Sequence, residues 1–478
     1  MTEFLRFPKA VEYLVDQGFK DPMALAQTEA GRGRLLPYLP ARFTIDMDAR
    51  AVAGDLGNVA TEGYLTFNIY TANFNDGLNT ASWNVVMDLQ GKLHQFSPAR
   101  SVDAVGRVHF CGLKNYDEDT LVMIQSANVS ACGHAFKWNW RNDEYTRIGA
   151  GGSGHGTYGC HDIQFAHPGS AEHGEAFWAP GPNPSCAENN NVTLVEAATG
   201  KQIGGFETGF ADCVADVNHA QLLDDDTSSI LSLRAISAIA KYEIDKSGFG
   251  ATRKWIIGGD EGNWPIVHGD VTYPPGATVW EKQHNAEYMG DDEVWMFDDK
   301  GMQNQSRLLI VKVNEDDNIA EIVWDYPLGL LAQVYGDCDP LPSGNILASY
   351  WRSTYGNKSA YDQTQCGVME VTRETKEVAW HLRVFGRECP DDDCQLLYDK
   401  SGWTMYSVER FYEKPVLPSI QTPRVGATIS PPSCAGGVLS FTAWSTFKVS
   451  SRREGHYSLL GGETGETLAT GTFLFEAH

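Results

Sequence analysis

The hydrophobic pattern changes near Glu62, where short apolar runs separated by turns replace helical spacing. Tyr64–Tyr70 and Trp83–Leu89 are two such runs, and a Gln90-Gly91 turn follows the second. Short apolar runs bounded by turn residues are typical of β-strands. The pattern therefore predicts an all-β domain over residues 51–478.

The first fifty residues have a different pattern. Val11, Leu14 and Val15 are spaced to share one face of a helix. Asp21 is a good helix N-cap and Pro22 suits the first helical position, so a second helix is expected to run to about Gly31. We interpret residues 1–50 as an N-terminal helical arm and connector that packs on the β domain.

The strand pattern repeats along the chain. Each unit opens with a polar or histidine-bearing strand, and three further strands follow. Measured from residues 109, 161, 219, 284 and 337, the openings are 52, 58, 65 and 53 residues apart. Four-stranded units of roughly 50 residues are typical of β-propeller blades. The openings are Val108-His109-Phe110, Cys160-His161-Asp162, Asn218-His219-Ala220, Gln283-His284-Asn285 and Gly336-Asp337-Cys338.

Six blades is the predicted count, and seven is the alternative. The alternative depends on the strands expected at Val438–Phe447 and Thr467–Phe475. In a six-bladed ring the last 75 or so residues would instead close the first blade or form a cap. Two other features are less informative. Gly149–Gly159 is expected to be a flexible loop between blades, and Cys389 and Cys394 are expected either to form a local disulfide or to stay reduced.

Composition and charge narrow the functional classes. The net charge of −25 over 478 residues disfavours nucleic acid as a partner, because a phosphate backbone needs a basic surface. No run of about 18 apolar residues exists, so no membrane span is expected. The N-terminus lacks the apolar run of a signal peptide. The sequence as given is therefore expected in the cytoplasm, or in the secretory pathway if a leader was removed; it does not define an oligomeric state.

Histidines recur at one position of the repeat. Strand openings of different blades converge at one end of a propeller's central channel, so these side chains are expected to meet there. Three interpretations are open: architectural histidines, a metal site, or a catalytic or anion-binding cluster. We favour the third, without metal or cofactor, because amides at the same openings ligate metals poorly. The histidines are His109, His161, His219 and His284, and the amides include Asn218 and Asn285.

Several short motifs, taken in order, resemble the arylsulfotransferase family of β-propellers. They are Cys160-His161-Asp162-Ile163, then Asn218 with Ser232-Leu233-Arg234, then Trp255-Ile256-Ile257-Gly258-Gly259, Gln283-His284 with Phe297-Asp298-Asp299, and Leu341-Pro342-Ser343-Gly344-Asn345. The resemblance spans about residues 155–350. It implies transfer of a sulfuryl group between phenolic small molecules, independent of PAPS, through a histidine intermediate.

By this resemblance His284 is the nucleophile. His161, Asn218 and Arg234 would stabilise charge on the sulfuryl oxygens and the leaving phenolate, and the fork of an arginine suits an oxyanion. One position departs from the family pattern: Asp216 stands where the family has a histidine, and a histidine follows at His219. Either His219 substitutes for it as a catalytic residue, or the site has been reassigned.

Two alternatives to sulfuryl transfer remain open. The same scaffold could perform acid–base chemistry of the lyase, cyclase or isomerase type, with His284, His161 and Asp216 as acid and base. It could also be a non-catalytic propeller that binds a ligand or a protein. Under either enzymatic interpretation the residues expected to bind an aromatic or phenolic substrate are Asp216, Gln283, Asn285, His109 and Asp337.

Overall fold

The structure is a computed structural model of the whole chain. The residues it describes are 1–48, 63–72, 81–99, 109–117, 119–126, 134–149, 161–166, 175–182, 189–210, 214–223, 226–245, 248–300, 305–332, 334–351, 366–386, 402–413, 433–435, 438–440, 444–446, 454–460 and 464–474. Most of the glycine-rich loop and both Cys389 and Cys394 lie outside the described residues. No helix among these residues is long and apolar enough to cross a membrane.

The N-terminal arm is helical, as predicted. A 3₁₀ helix, Phe4–Arg6, precedes α1 (Pro8–Asp16), α2 (Pro22–Ala26) and α3 (Glu29–Leu35). Two caps explain why the expected second helix is divided in two. The side chain of Asp21 accepts a hydrogen bond from the amide of Ala24, at 2.9 Å. The Thr28 hydroxyl accepts one from Gly31 at 3.0 Å, which begins a new helix before Gly31 instead of ending one there.

The rest of the described chain is built from strands. In chain order they begin with β1 Arg42–Met47, β2 Tyr64–Ala72, β3 Ser82–Asp88, β4 Leu93–Pro98, β5 His109–Asn115, β6 Thr120–Ser126, β7 His134–Asn139, β8 Glu144–Arg147, β9 Gln164–Phe165, β10 Ala176–Pro182, β11 Asn189–Glu196, β12 Gln202–Glu207, β13 Val217–Leu223, β14 Ser228–Leu233, β15 Ala238–Ile244 and β16 Ala251–Ile257. They continue with β17 Ile266–His268, β18 Val271–Tyr273, β19 His284–Tyr288, β20 Glu293–Asp298, β21 Arg307–Asn314, β22 Ile319–Pro327, β23 Asp339–Pro340, β24 Ile346–Trp351, β25 Cys366–Val371, β26 Val378–Phe385, β27 Gly402–Phe411, β28 Ser433–Ala435, β29 Val438–Ser440, β30 Glu454–Leu460 and β31 Thr467–Leu474.

These strands form a six-bladed β-propeller, which confirms the predicted fold class and the preferred blade count. Blade 1 has the order β27-β2-β3-β4, and blades 2, 3 and 4 are β5–β8, β9–β12 and β13–β16. Blade 5 is β19–β22 with β17 and β18 added at its outer edge, and blade 6 is β23–β26 with β1 added. The openings of the sequence repeat therefore lie at the innermost strands, β5, β9, β13, β19 and β23.

The ring closes through two segments that are far apart in sequence. Strand β27 pairs antiparallel with β2, with Tyr64 opposite Phe411. Strand β1 pairs antiparallel with β26, with Arg42 opposite Phe385. The strands expected near residues 438–475 do not take part in this closure among the described residues; β28 pairs with β29 and β30 with β31, as separate hairpins.

The apolar core lies between neighbouring blades. Ile124 of blade 2 packs in one cluster with Phe177 of blade 3, and Trp178 of blade 3 packs in another with Leu231 of blade 4. The helical arm covers blade 1, where the Phe4 and Phe96 rings are 4.8 Å apart. Because each blade is apolar on both faces, burial between blades provides most of the stabilisation and leaves the channel end free for polar residues.

Four innermost strands contain a register shift near the channel. The shifts lie between Cys111 and Lys114 in β5, between Val217 and His219 in β13, between His284 and Glu287 in β19, and between Met405 and Val408 in β27. An extra residue at such a β-bulge redirects neighbouring side chains. In β19 the bulge contains Asn285, whose φ of 48° is a left-handed conformation that asparagine tolerates better than most residues. The bulges therefore help to set which opening residues face the channel.

Candidate active site

A pocket lies where the innermost strands meet. Its empty volume, counted to its open mouth, is about 280 Å³. Four residues predicted from the sequence line it: His161, Asn218, His284 and Asn285. The other lining residues are Gly112, Lys114, Asp162, Gly336, Tyr406 and Ser407. The lining thus combines ionisable groups from several blades, as expected for strand openings that converge on one channel end.

His284 is buried, with 3 % of its side chain exposed, and both ring nitrogens have partners. Its Nδ1 lies 3.0 Å from Oδ2 of Asp299, which is fully buried. Its Nε2 accepts a hydrogen bond from the backbone N–H of Tyr335 at 3.4 Å. A ring nitrogen that accepts a hydrogen bond cannot carry the ring proton. The proton is therefore on Nδ1, which donates a hydrogen bond to Asp299. Nε2 is therefore the basic nitrogen of the ring.

The imidazole of His284 is neutral near pH 7. Burial lowers its pKa well below 6.5, and the positive charges of Arg234 and His161 lower that pKa further. Burial also raises the pKa of the Asp299 carboxyl well above 3.8, although Arg234 opposes this change. Both directions disfavour a charged imidazolium–carboxylate pair in the resting site, because a buried charge loses its hydration.

The backbone before His284 is held by its neighbours. The Asn218 side chain donates to the carbonyl oxygen of Gln283 at 2.8 Å. The Gln283 side chain is fully buried and donates to Ala238 O at 2.8 Å and to Ser232 Oγ at 3.2 Å. Gln283 was predicted to bind substrate, but it points into blade 4 and does not line the pocket. Gln283 therefore affects the site by holding the backbone next to His284 in place.

Asp216 links two basic residues beside the pocket. Its Oδ1 lies 3.5 Å from Nε2 of His161, and its Oδ2 lies 3.3 Å from Nη1 of Arg234. Burial opposes ionisation, but His161 and Arg234 outweigh it and hold the pKa of Asp216 below its usual range. Nε of Arg234 also lies 3.8 Å from Asp299. Arg234 is therefore placed between two carboxyl groups, and it does not itself line the pocket.

His219 lies behind the pocket wall, with 1 % of its side chain exposed. Its Nδ1 is 2.8 Å from Asp162 and its Nε2 is 3.1 Å from Glu287. Burial by itself disfavours the charged ring, yet the two carboxylates raise the pKa of His219 to about 9. His219 is thus a buried imidazolium between two blades. His219 therefore does not belong to the pocket lining.

Lys114 completes this ionic network. Its Nζ lies 3.0 Å from Glu287, 3.8 Å from Glu409 and 3.9 Å from Asp162. The three carboxyl groups come from blades 5, 1 and 3, so one ammonium group joins three blades to its own. Because breaking a buried ion pair leaves an uncompensated charge, this network fixes the geometry of the pocket floor.

Two predicted positions remain, Asp337 and His109. Asp337 is 1 % exposed and accepts a hydrogen bond from the Asn285 side chain, so it positions a lining residue and does not line the pocket itself. His109 is the first residue of β5 in blade 2. Among the described residues no group of three or more histidine, cysteine, aspartate or glutamate side chains is arranged to hold a metal ion.

Two tyrosines form the aromatic part of the site. The ring centroid of His284 lies 6.1 Å from that of Tyr335 and 6.3 Å from that of Tyr406. The two tyrosine rings are 4.9 Å apart. The Tyr406 hydroxyl also lies 3.1 Å from Nδ1 of His161. An aromatic wall thus adjoins the imidazole that carries the basic nitrogen.

Carboxyl groups outnumber basic groups around this pocket in the described structure, even if His161 is counted as protonated. The acidic residues are Asp162, Asp216, Glu287, Asp299, Asp337 and Glu409, and the basic ones are Lys114, His161, His219 and Arg234. The excess of acidic groups makes the pocket unfavourable for an anion unless a basic group is released from its partner.

Several of these residues were not selected from the sequence as site residues. Asp299 belongs to the Phe297-Asp298-Asp299 motif, so the resemblance offered a signal for it. Glu287 ends the opening of its own repeat. The sequence offered no motif that marks Tyr406 and Glu409, because they lie on the closing strand β27, which has no histidine opening.

Comparison with known proteins establishes no family for this chain. No family model matches the chain, and no protein of curated function matches it. Among solved structures it is similar to a hypothetical selenium-binding protein from Sulfolobus tokodaii, with 10 % identity over 74 % of this chain and 94 % of that one, and a TM-score of 0.39. It is also similar to a periplasmic gluconolactonase from Pseudomonas aeruginosa, with 11 % identity over 72 % and 99 % of the chains and a TM-score of 0.38. Neither is an arylsulfotransferase.

Proposed function

We propose that the chain is an enzyme that uses His284 as a general base on a small aromatic molecule in the channel pocket. The supporting observation is the pairing of His284 with Asp299, which leaves Nε2 as the basic nitrogen of a neutral imidazole in the pocket lining. An imidazole held in one tautomer by a carboxyl group is well suited to accept a proton from a bound molecule, which would displace the long 3.4 Å hydrogen bond from Tyr335 N–H to Nε2. The reaction class is acid–base chemistry of the isomerase, lyase or cyclase type.

The surroundings of His284 favour an uncharged aromatic substrate. The rings of Tyr335 and Tyr406 lie beside the imidazole and offer faces and edges for a planar molecule. The excess of carboxyl groups disfavours an anion.

Exchange of carbon-bound hydrogen for deuterium tests this proposal. Acetophenone is the probe, because the hydrogens next to its carbonyl group exchange only when a base removes them. In D₂O near pH 7, wild type is expected to accelerate the exchange seen by proton NMR. His284→Gln should lose about a hundredfold or more of that acceleration. His268→Gln is the matched control: this histidine is one-third exposed on β17, outside the pocket, and its variant should match wild type. Equal rates for wild type and His284→Gln would refute the proposal.

Sulfuryl transfer is the second candidate. It is supported by the assembly that the arylsulfotransferase resemblance implies, with His161, Asn218 and His284 lining one pocket and Arg234 behind it. In this reaction Nε2 of His284 would attack the sulfur of an aryl sulfate. The sulfur–oxygen bond would break, and its electron pair would leave with the phenolate. An acceptor phenol would then lose its proton to solvent, and its oxygen would take the sulfuryl group as the nitrogen–sulfur bond breaks and its electron pair returns to Nε2.

The position of Arg234 makes this the second candidate and not the first. Asp216 and Asp299 lie 3.3 and 3.8 Å from its guanidinium, so an incoming sulfate must compete with both. Intact-mass analysis after incubation with 4-nitrophenyl sulfate tests it. A wild-type gain of one sulfuryl group, lost in His284→Gln and kept in His268→Gln, would establish this second function. A non-catalytic binding propeller would show neither this gain nor deuterium exchange.

A further inference from the structure

Another residue with an exchangeable proton lines the same pocket. It is Tyr406, whose ring centroid is 6.3 Å from that of His284, with the two rings nearly perpendicular at 84°. The Tyr406 side chain is only 7 % exposed, and its residue lines the pocket. A small molecule beside Nε2 of His284 would therefore also lie beside the phenol group.

The hydroxyl of Tyr406 belongs to a chain of polar contacts. It is 3.1 Å from Nδ1 of His161, and Nε2 of His161 is 3.5 Å from Asp216. The three residues come from three blades: Tyr406 from β27 in blade 1, His161 from the opening of β9 in blade 3, and Asp216 from the opening of β13 in blade 4. Their convergence thus depends on the closed ring of blades and not on one local turn.

The carboxyl group of Asp216 lies between two basic residues. Its Oδ1 is 3.5 Å from Nε2 of His161 and its Oδ2 is 3.3 Å from Nη1 of Arg234. Its φ is 47°, in the left-handed region that aspartate occupies more readily than most residues. A carboxylate at that place favours a proton on Nε2 of His161, and it stabilises the ring when Nδ1 is protonated as well.

We propose that Tyr406 is the catalytic acid that works with His284 on an aromatic ketone bearing hydrogen on the carbon next to its carbonyl group. This inference rests on the proposed acid–base function. Nε2 of His284 removes the hydrogen as a proton, and the C–H electron pair forms a carbon–carbon double bond. The carbonyl π electrons take the proton of the Tyr406 hydroxyl, which gives the enol. Nδ1 of His161 then donates a proton to the phenolate oxygen of Tyr406. Nε2 of His161 keeps its own proton, which stays hydrogen-bonded to Asp216.

Two probes of different acidity separate this inference from the proposed function. Acetophenone needs a proton on its carbonyl oxygen as the carbon–hydrogen bond breaks. Phenylnitromethane is a much stronger carbon acid, and its nitro group carries the charge without being protonated. Both are followed by deuterium exchange in D₂O with wild type, Tyr406→Phe and His284→Gln. Tyr326→Phe is the matched control, a half-buried tyrosine on β22 in blade 5.

Tyr406→Phe is expected to lower kcat for acetophenone about a hundredfold with little change in KM, and to slow phenylnitromethane by less than about threefold. His284→Gln should slow both probes, and Tyr326→Phe neither. If Tyr406→Phe exchanges acetophenone as fast as wild type while His284→Gln does not, the role of Tyr406 is refuted and the proposed function stands. If His284→Gln exchanges both probes as fast as wild type, the proposed function fails, and the acid role of Tyr406 fails with it. Equal slowing of both probes by Tyr406→Phe would show a structural role and would also overturn the inference.

Discussion

The substitution His219→Gln tests whether the buried imidazolium stabilises the propeller. Glutamine is close to histidine in size and can still donate a hydrogen bond, but it carries no charge. The substitution would leave Asp162 and Glu287 facing each other with Lys114 as the nearest remaining cation, at 3.9 and 3.0 Å. Blade 4 would thus lose its ionic contacts to blades 3 and 5 at this point.

The expected magnitude follows from the pKa of His219. That pKa is about 9 in the folded protein, against 6.5 for an ordinary histidine. At 1.36 kcal/mol for each tenfold change, the difference corresponds to about 3 kcal/mol of unfolding free energy. Because the folded pKa is raised, this stabilisation is complete below pH 6.5 and is lost as the pH rises through 9. His219→Gln should therefore be less stable than wild type by about 3 kcal/mol at pH 6, and the deficit should shrink towards pH 9.5.

Urea unfolding followed by tryptophan fluorescence at pH 6, 7.5 and 9.5 measures this deficit. His268→Gln is again the control, since His268 lies 3.6 Å from Asp325 and each side chain is about one-third exposed. Such an exposed pair contributes less than about 1 kcal/mol. The reasoning is refuted if His219→Gln unfolds at the same urea concentration as wild type at pH 6, or if its deficit is the same at pH 6 and 9.5.

Further predictions concern the pocket. Asp299→Asn should lower the His284-dependent exchange rate by roughly a hundredfold while leaving the circular dichroism spectrum unchanged, because the ring loses the group that fixes its tautomer. Because the pKa of His284 is lowered well below 6.5, its ¹⁵N shifts should remain those of a neutral ring from pH 8 down to pH 6. Asp216→Asn should tighten binding of 4-nitrophenyl sulfate about tenfold by calorimetry, since Arg234 loses its nearer carboxylate. Gly336→Ala should lower the thermal midpoint, because its φ is 112° and a Cβ there would lie 2.6 Å from a buried phenylalanine ring.

The sequence predicted the propeller because its evidence is repeated and local. Short apolar runs and regularly spaced openings need no knowledge of distant contacts, and the convergence of His161, Asn218 and His284 follows from blade symmetry alone. The closing strand could not be placed in this way. Its Tyr406 and Glu409 join the site only through pairing with β2, which lies far away in the chain.

The sequence also could not show which side chains at the strand openings face the channel. Gln283 and His284 are adjacent, yet one points into a blade and the other lines the pocket. Successive side chains of an extended chain point to opposite sides, and the bulge between His284 and Glu287 breaks that alternation. The left-handed backbone angle at Asn285 that marks this bulge is not encoded in a hydrophobic pattern. For the same reason the role of His219 as a bridge between carboxylates could not be distinguished from that of a catalytic histidine.

The closure of blade 1 by β27 has a consequence for synthesis on the ribosome. Strands β2–β4 are made early, but their innermost partner, Gly402–Phe411, emerges hundreds of residues later. Until then the nascent chain lacks both Tyr406 and the Glu409 carboxylate beside Lys114. Blades 2 to 5 can form while translation proceeds, whereas the pocket is completed in one late event. A chain truncated before residue 402 would therefore keep most of its blades but lack the part of the pocket that β27 contributes.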